Sequence, residues 1–130
     1  MRCNTALFIE LLIANINTAK EGFECFYERA DKSAAFPYGV ASGINVTSLD
    51  DGYLVSFDLD LWTDDKLPTA TEEIEELCDL LHNHLHNRII SRDGELYAHI
   101  GYEGRDTSDD RDTDISHRRM FFAARIFYVN

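Results

Sequence analysis

Basic residues are scarce in this 130-residue chain. Twelve Lys and Arg stand against 24 Asp and Glu, a formal net charge of −12. Binding a nucleic-acid backbone takes clustered Lys and Arg that displace counterions. The composition therefore excludes unaided nucleic-acid binding as a first reading, and it disfavours an anionic membrane surface for the same electrostatic reason. Cysteine is also sparse: Cys3, Cys25 and Cys78 are odd in number and form no CxxC. That excludes a disulfide framework and points to synthesis in a reducing compartment. No apolar run approaches the ~18–20 residues of a transmembrane helix. Ala6–Ala14 is apolar, but Glu10 interrupts it and Asn15–Asn17 follow, so it is read as a helix of the domain, not as the centre of a cleaved signal. Glycine-rich phosphate loops, HExxH and the local signatures of catalytic nucleophiles are all missing. No catalytic residue and no cofactor is expected.

What is present suits one packed domain over residues 1–130. Hydrophobic residues make up 45% of the chain and aromatics 12%, and a domain of this size buries roughly two-thirds of its unfolded surface. The clearest element is a strand at Tyr53–Asp64. Tyr53, Val55, Phe57, Leu59 and Leu61 point one way, and Leu54, Ser56, Asp58, Asp60 and Trp62 the other. This period of two predicts one dry face and one wet face, with Trp62 standing on the wet one.

Around that strand the chain reads as an α+β fold, a mainly antiparallel twisted sheet with two helices packed on it. Asn4–Lys20 is the first helix, capped by Asn4 or Thr5. Leu7, Leu11 and Ala14 share one face of it, and the other apolar residues nearly encircle it, which predicts burial on more than one side. Phe23–Tyr27 is a brief strand and Arg29–Ala35 a loop. Tyr38–Ser48 is a strand in which Gly39 and Gly43 mark an edge, a bulge or a close approach. Asp50-Asp51-Gly52 is a hairpin turn. Thr69–Arg88 is the second helix, with a capping box of Thr69 and Glu72 and an apolar stripe of Ile74, Leu77, Leu81 and Leu85. Ile89–Ser91 and Leu96–Glu103 flank a second Asp-Gly hairpin at Arg92-Asp93-Gly94. Gly104–Asp114 reads as a polar, hydrated loop. Ser116–Val129 is a long strand apolar on both faces, covered either twice by the core or once by the core and once by a partner.

Three constellations invite a chemical reading. Cys78, His82 and His86 follow an i, i+4, i+8 spacing that zinc sites use in part, yet they drift away from the leucine stripe and read as a polar helix flank. Asp110, Asp112 and Asp114 imitate the start of a calcium loop, but Ile115 and Phe121 stand where a glycine and a glutamate are required, so no metal site is expected. Asp58 and Asp60 resemble an acid–base pair, but they share a strand face with Ser56 and read as a wet sheet surface. Trp62, the two-faced last strand and the encircled first helix fit an assembly subunit better than a free monomer.

The order of these pieces resembles the tail-terminator (tail-completion) proteins of long-tailed bacteriophages. The features that carry the resemblance are the N-terminal helix, Phe36-Pro37-Tyr38 opening a strand, and the hairpin into Leu59-Asp60-Leu61-Trp62. They continue with the Glu- and Leu-rich helix, the hairpin at Arg92-Asp93-Gly94, and the Asp-rich loop before Arg118-Arg119-Met120-Phe121-Phe122-Ala123-Ala124-Arg125-Ile126. The resemblance implies a non-enzymatic, ring-forming subunit, typically of six copies. Such a ring caps the tail tube, stops its polymerisation and offers the surface that docks to the head. The implied partners are further copies of the chain, a tail-tube protein and a head–tail connector protein. The implied location is the neck of a virion assembled in a bacterial cytoplasm. Phe36, Pro37, Tyr38, Trp62, Phe121 and Phe127 are the expected subunit interface. Asp58, Asp60, Asp106, Asp109, Asp110, Asp112 and Asp114 are the expected acidic lumen or rim, which would repel passing DNA. The alternative within the same class is another head–tail joining protein. From a different class, the alternative is a small intracellular metal- or ligand-binding domain using the Cys78/His82/His86 flank.

Overall fold

The computed structural model describes residues 3–64, 69–107 and 115–127. Helix α1 (Thr5–Ile16) is followed by strands β1 (Glu24–Tyr27), β2 (Tyr38–Leu49) and β3 (Gly52–Asp64). Helix α2 (Ala70–Leu85) then leads into β4 (Ile89–Arg92), β5 (Leu96–Thr107) and β6 (Ile115–Phe127). The strands form one six-stranded sheet in the order β1-β2-β3-β6-β5-β4. β1 and β2 are parallel, and the other neighbours are antiparallel. The fold is α+β, as expected.

Alternation along the two central strands builds the core. Val55, Phe57, Leu59 and Leu61 of β3 and Met120, Phe122, Ala124 and Ile126 of β6 are buried on one face. Phe57 stacks on Phe122 with ring centroids 5.4 Å apart, and Phe8 of α1 meets Phe57 edge-on at 6.1 Å. Leu77, Leu81 and Leu85 of α2 and Leu7, Phe8, Leu12 and Ile16 of α1 join the same cluster. Each fully buried aliphatic or aromatic side chain of this kind contributes about 1.5–3 kcal/mol through apolar burial. Both helices therefore cover one face of the sheet. The other face carries no helix among the described residues.

Several sequence expectations need correction. The buried stripe of α1 is Leu7, Phe8, Leu12 and Ile16, while Ala14 is exposed, because the sheet lies against that flank. α1 also ends at Ile16, short of Lys20. Thr18 Oγ1 donates to the Asn15 carbonyl at 2.6 Å, and Asn17 Oδ1 accepts the Cys25 N–H at 2.7 Å. Short polar side chains there compete for the groups a helix would use. α2 ends at Leu85 because His86 is extended and Asn87 takes a positive φ of 62°. Asn87 N–H then donates to the Ile100 carbonyl at 2.8 Å, and Ile100 N–H to Arg88 at 2.9 Å. The expected capping box is also absent. Thr69 Oγ1 donates to Glu73 Oε1 at 3.0 Å and makes no side-chain cap bond.

The largest correction concerns the segment expected to be a loop from Gly104. β5 continues through Thr107 after a bulge between Tyr102 and Gly104. Arg105 of β5 and the buried Arg118 of β6 reach α2, where Glu75 accepts from both and Asp79 accepts from Arg105 at 3.0 Å. These ion pairs give a charged stretch a reason to be strand. Two glycines are required here, for different reasons. A Cβ on Gly52 would lie 1.9 Å from the Ile126 carbonyl oxygen, whereas Gly43 holds a φ of +66° that L side chains rarely adopt. Gly43 sits in the bulge between Ser42 and Asn45.

Candidate functional site

The face of the sheet opposite the helices holds most of the residues singled out from sequence. Register decides which of them meet. Tyr38, Trp62 and His117 are Cα partners across β2, β3 and β6, so their rings project side by side. Phe36 stacks on Tyr38 at 5.5 Å, Tyr38 on Trp62 at 5.3 Å, and Trp62 on His117 at 4.8 Å. Phe26 meets Tyr38 edge-on at 6.5 Å. The result is a four-ring ladder across three strands, with Phe36, 42% exposed, at its outer end. Pro37 and Phe36 also line a cleft with Lys20, Thr63 and Leu77.

One residue inward from Trp62's neighbours the surface is dry. Asp60 is only 5% exposed. Its Oδ1 accepts from Arg119 Nε at 2.8 Å and lies 2.7 Å from His117 Nε2. A carboxylate leaves water only where it is paired and hydrogen-bonded, and both partners come from β6. The pairing holds the Arg119 guanidinium above its ordinary range. The expectation of a largely wet face fails at this point: the Trp62–His117 stack and Val40, also buried, shut water out. Asp58, two residues earlier, is half-buried. Burial pushes its carboxyl up, the Arg119 charge opposes this, and the Asp60 charge adds to it. Asp106 is the Cα partner of Arg119 on the other side. Asp58, Asp60 and Asp106 thus surround one arginine. Asp109, Asp110, Asp112 and Asp114 lie outside the described residues.

The remaining expected interface residues lie elsewhere on the same face. Phe121 is half-buried, between Asp58 and Gly104. Phe127 stands ten residues beyond His117 on β6, roughly 33 Å away at ~3.3 Å per residue. It is 44% exposed, opposite Tyr97, with the Arg125 guanidinium 5.3 Å from its ring centroid. The six residues therefore form an aromatic ladder at one end, an apolar spot at the other, and Phe121 between. His117 and Arg119 were not singled out from sequence. Their signal lies only in the parity of β6, which sets them on the Trp62 face once the register is known.

The Cys78/His82/His86 flank is not a polar surface throughout. Cys78 is part of the core, and burial pushes its thiol up to about 11. His82 stacks on Tyr102 with centroids 3.9 Å apart, and His86 Nδ1 accepts the Tyr102 N–H at 3.0 Å. These histidines pack the bulge of β5 against α2. His84, on the other flank, lies with Nε2 3.0 Å from the Asn15 carbonyl and so joins the two helices. Among the described residues no group of three or more His, Cys, Asp or Glu is placed to hold a metal ion, and no helix is long and apolar enough to cross a membrane.

No family model matches the chain, and no curated protein matches it. Solved structures share its fold. One is a chain of the virion of a native gene transfer agent particle, 17% identical, with a TM-score of 0.56 over 91% of this chain and 85% of that one. Another is 9% identical, with a TM-score of 0.69 over 97% of this chain and 94% of the other. The likeness spans nearly the whole α+β domain in both cases.

Proposed function

We propose that this chain is a structural protein of a phage-like virion, and more narrowly a tail terminator. In this reading it forms a ring, typically of six copies, that caps the tail tube, halts its polymerisation and presents the head-docking surface. The observation that carries the reading is the sharing of its fold, nearly end to end, with a chain of a gene transfer agent virion. The open sheet face adds support, because it exposes aromatic groups that the chain's own helices leave uncovered. Phe36, Pro37, Tyr38 and Trp62 at one end, Phe121 between and Phe127 at the other are the contacts to neighbouring subunits or to the tube. Asp58 and Asp106 belong to an acidic surface that keeps DNA from adhering as it passes; Asp109, Asp110, Asp112 and Asp114, outside the described residues, are assigned to it from sequence alone. Asp60 is a paired, buried counter-ion and not part of that surface.

The chain acts without catalysis, and its partners are a tail-tube protein and a head–tail connector protein. Purified protein added to tail tubes is expected to decorate one tube end and to block further addition of tube subunits. Binding along the tube wall, or no binding by a protein that stays monomeric, would overturn the reading. Binding to connector rings but not to tube ends would assign it to the head side of the neck.

A further inference from the structure

The two sides of the sheet are guarded unequally. β1 closes one side, but it pairs only with residues 38–41 of β2. Its own outer edge is partly occupied: Cys25 N–H donates to Asn17 Oδ1 at 2.7 Å, and the Tyr27 carbonyl accepts from Arg29 N–H at 2.8 Å. Among the described residues, β2 is the outermost strand on that side beyond Ala41, and β4 is outermost on the opposite side.

Hydrogen-bond alternation shows which groups these edges offer. Ile100 N–H donates to the Arg88 carbonyl. Bonded positions alternate in an antiparallel pair, so Ile90 bonds to β5 while Ile89 and Ser91 turn their N–H and C=O outward. The Asp50-Asp51 connection closes on the Leu49/Gly52 pair. A two-residue hairpin makes that pair a bonded one, which turns the backbone of Val46 and Ser48 outward. Exposed edges are normally blunted by charge, yet residues 42–49, SGINVTSL, carry none in a chain that is 28% charged.

The two edges also lie at one level. Thr47, Leu54, Arg125, His99 and Ile89 form one continuous row of Cα partners across β2, β3, β6, β5 and β4. Four antiparallel steps separate β2 from β4, so the two strands run in the same direction. A copy set beside another in the same orientation brings its β2 edge against the first copy's β4, parallel and level. Side chains agree with this placement. Val46 is on the helix side, opposite the core residue Val55, and is 39% exposed. Beside β4, a groove lined by Leu11, Ala14, Asn15 and Ile90 runs along α1. Ile89, on the other face of β4, is 65% exposed.

We propose that β4 of one copy pairs in parallel with the Val46–Ser48 edge of β2 of the next, so that the sheet continues from subunit to subunit. Val46 enters the groove between α1 and β4. The contact is heterologous, joining different surfaces of two identical chains, and closes when the rotation per copy divides a full turn. The inference rests on the ring reading and names its subunit contact.

The test uses the full chain with Cys3→Ser as background. Thr47→Cys combined with Ile89→Cys or Ser91→Cys is oxidised and run on a non-reducing gel, beside light scattering of unmodified protein and of Val46→Asp. Expected are a ladder of covalent multimers for a paired variant, and at least a tenfold rise in the concentration at which Val46→Asp assembles, with its thermal unfolding kept. Rings that form normally in Val46→Asp, and no ladder in either pairing, would overturn this contact and leave the ring reading standing. Unmodified protein that stays monomeric at every concentration would overturn both.

Discussion

Trp62 lies flat against His117, ring centroids 4.8 Å apart, and together they roof a carboxylate: His117 Nε2 is 2.7 Å from Asp60 Oδ1. The same oxygen accepts from Arg119. Asp60→Ala removes the acceptor that His117 and Arg119 share; His117 lies in the stack, whereas the Arg119 side chain is 47% exposed and can turn to water. Removing one partner of a buried charged hydrogen bond costs about 1–3 kcal/mol, and urea unfolding is expected to show a loss in that range. An unchanged urea midpoint would mean that Asp60 merely occupies space.

The β2–β3 turn makes a steric prediction. Gly52→Ala drives a methyl group toward the Ile126 carbonyl, whereas a Cβ on Gly94 (φ +76°) meets nothing within 4 Å. Gly94→Ala carries only the conformational penalty of a positive φ, about 1 kcal/mol. Gly52→Ala must also move the backbone of β3 or β6, at the centre of the sheet. Thermal unfolding of the two variants is expected to show a clearly larger loss for Gly52→Ala; equal losses would show that the turn relaxes freely.

Acid sensitivity is expected at Glu75. Hydrogen bonding to Arg118, outweighing the opposing effect of burial and helped by Arg105, holds its carboxyl below the usual glutamate value. A group depressed in the folded state stabilises above its unfolded pKa and loses that contribution as pH falls through the folded one. Glu75 therefore contributes fully above about pH 4.5 and progressively less below it. Glu75→Gln is expected to be less stable at pH 7 and to lose less than the native protein between pH 5 and 3. Parallel pH profiles of the urea midpoint would remove Glu75 from the acid response.

Period-two patterning made β3 and the core face of β6 readable, because each dry position meets a helix packed on one side. The same rule misplaced Asp60, since polarity along a strand does not reveal a neighbour's ring lying over it. Trp62 was visible as an oddity, but its partners His117 and Tyr38 depended on a register that pairs β3 with β6, the last strand of the chain. Gly104–Thr107 looked like loop because the Arg105 charge is met by Glu75 and Asp79, some 26 to 30 residues earlier, and Asp106 lies opposite Arg119 of the next strand. Phe127 was grouped with Trp62 because both are apolar where a lone subunit would leave them uncovered, and that argument carries no distance along the sheet.

The cysteines differ enough in environment to be counted chemically. Burial pushes the Cys25 thiol up to about 12 and the Cys78 thiol up to about 11, while Cys3 is exposed. The thiolate is the reactive form, so a thiol reagent at pH 8 is expected to modify Cys3 alone in native protein and all three in urea. Labelling of Cys78 in native protein at the rate of Cys3 would show that α2 opens readily from the sheet.

Phe127 and Trp62 answer different questions when made acidic. Phe127 is near the end of β6, nearly half exposed, with its ring against Arg125. A carboxylate there stays hydrated and retains a cation nearby, so Phe127→Asp is expected to unfold within about 0.5 kcal/mol of the native protein, as exposed substitutions usually do. Any loss of assembly in that variant then reports an interface. Trp62→Asp removes two ring stacks and sets a second carboxylate beside the buried Asp60, so the subunit itself is expected to weaken before assembly is tested. Light scattering paired with urea unfolding separates the two: a loss of oligomers in Phe127→Asp at native stability reports a contact beyond the β2–β4 pairing, and Trp62→Asp should lose stability first. Intact oligomers in Phe127→Asp would remove that end of the face from the subunit contact.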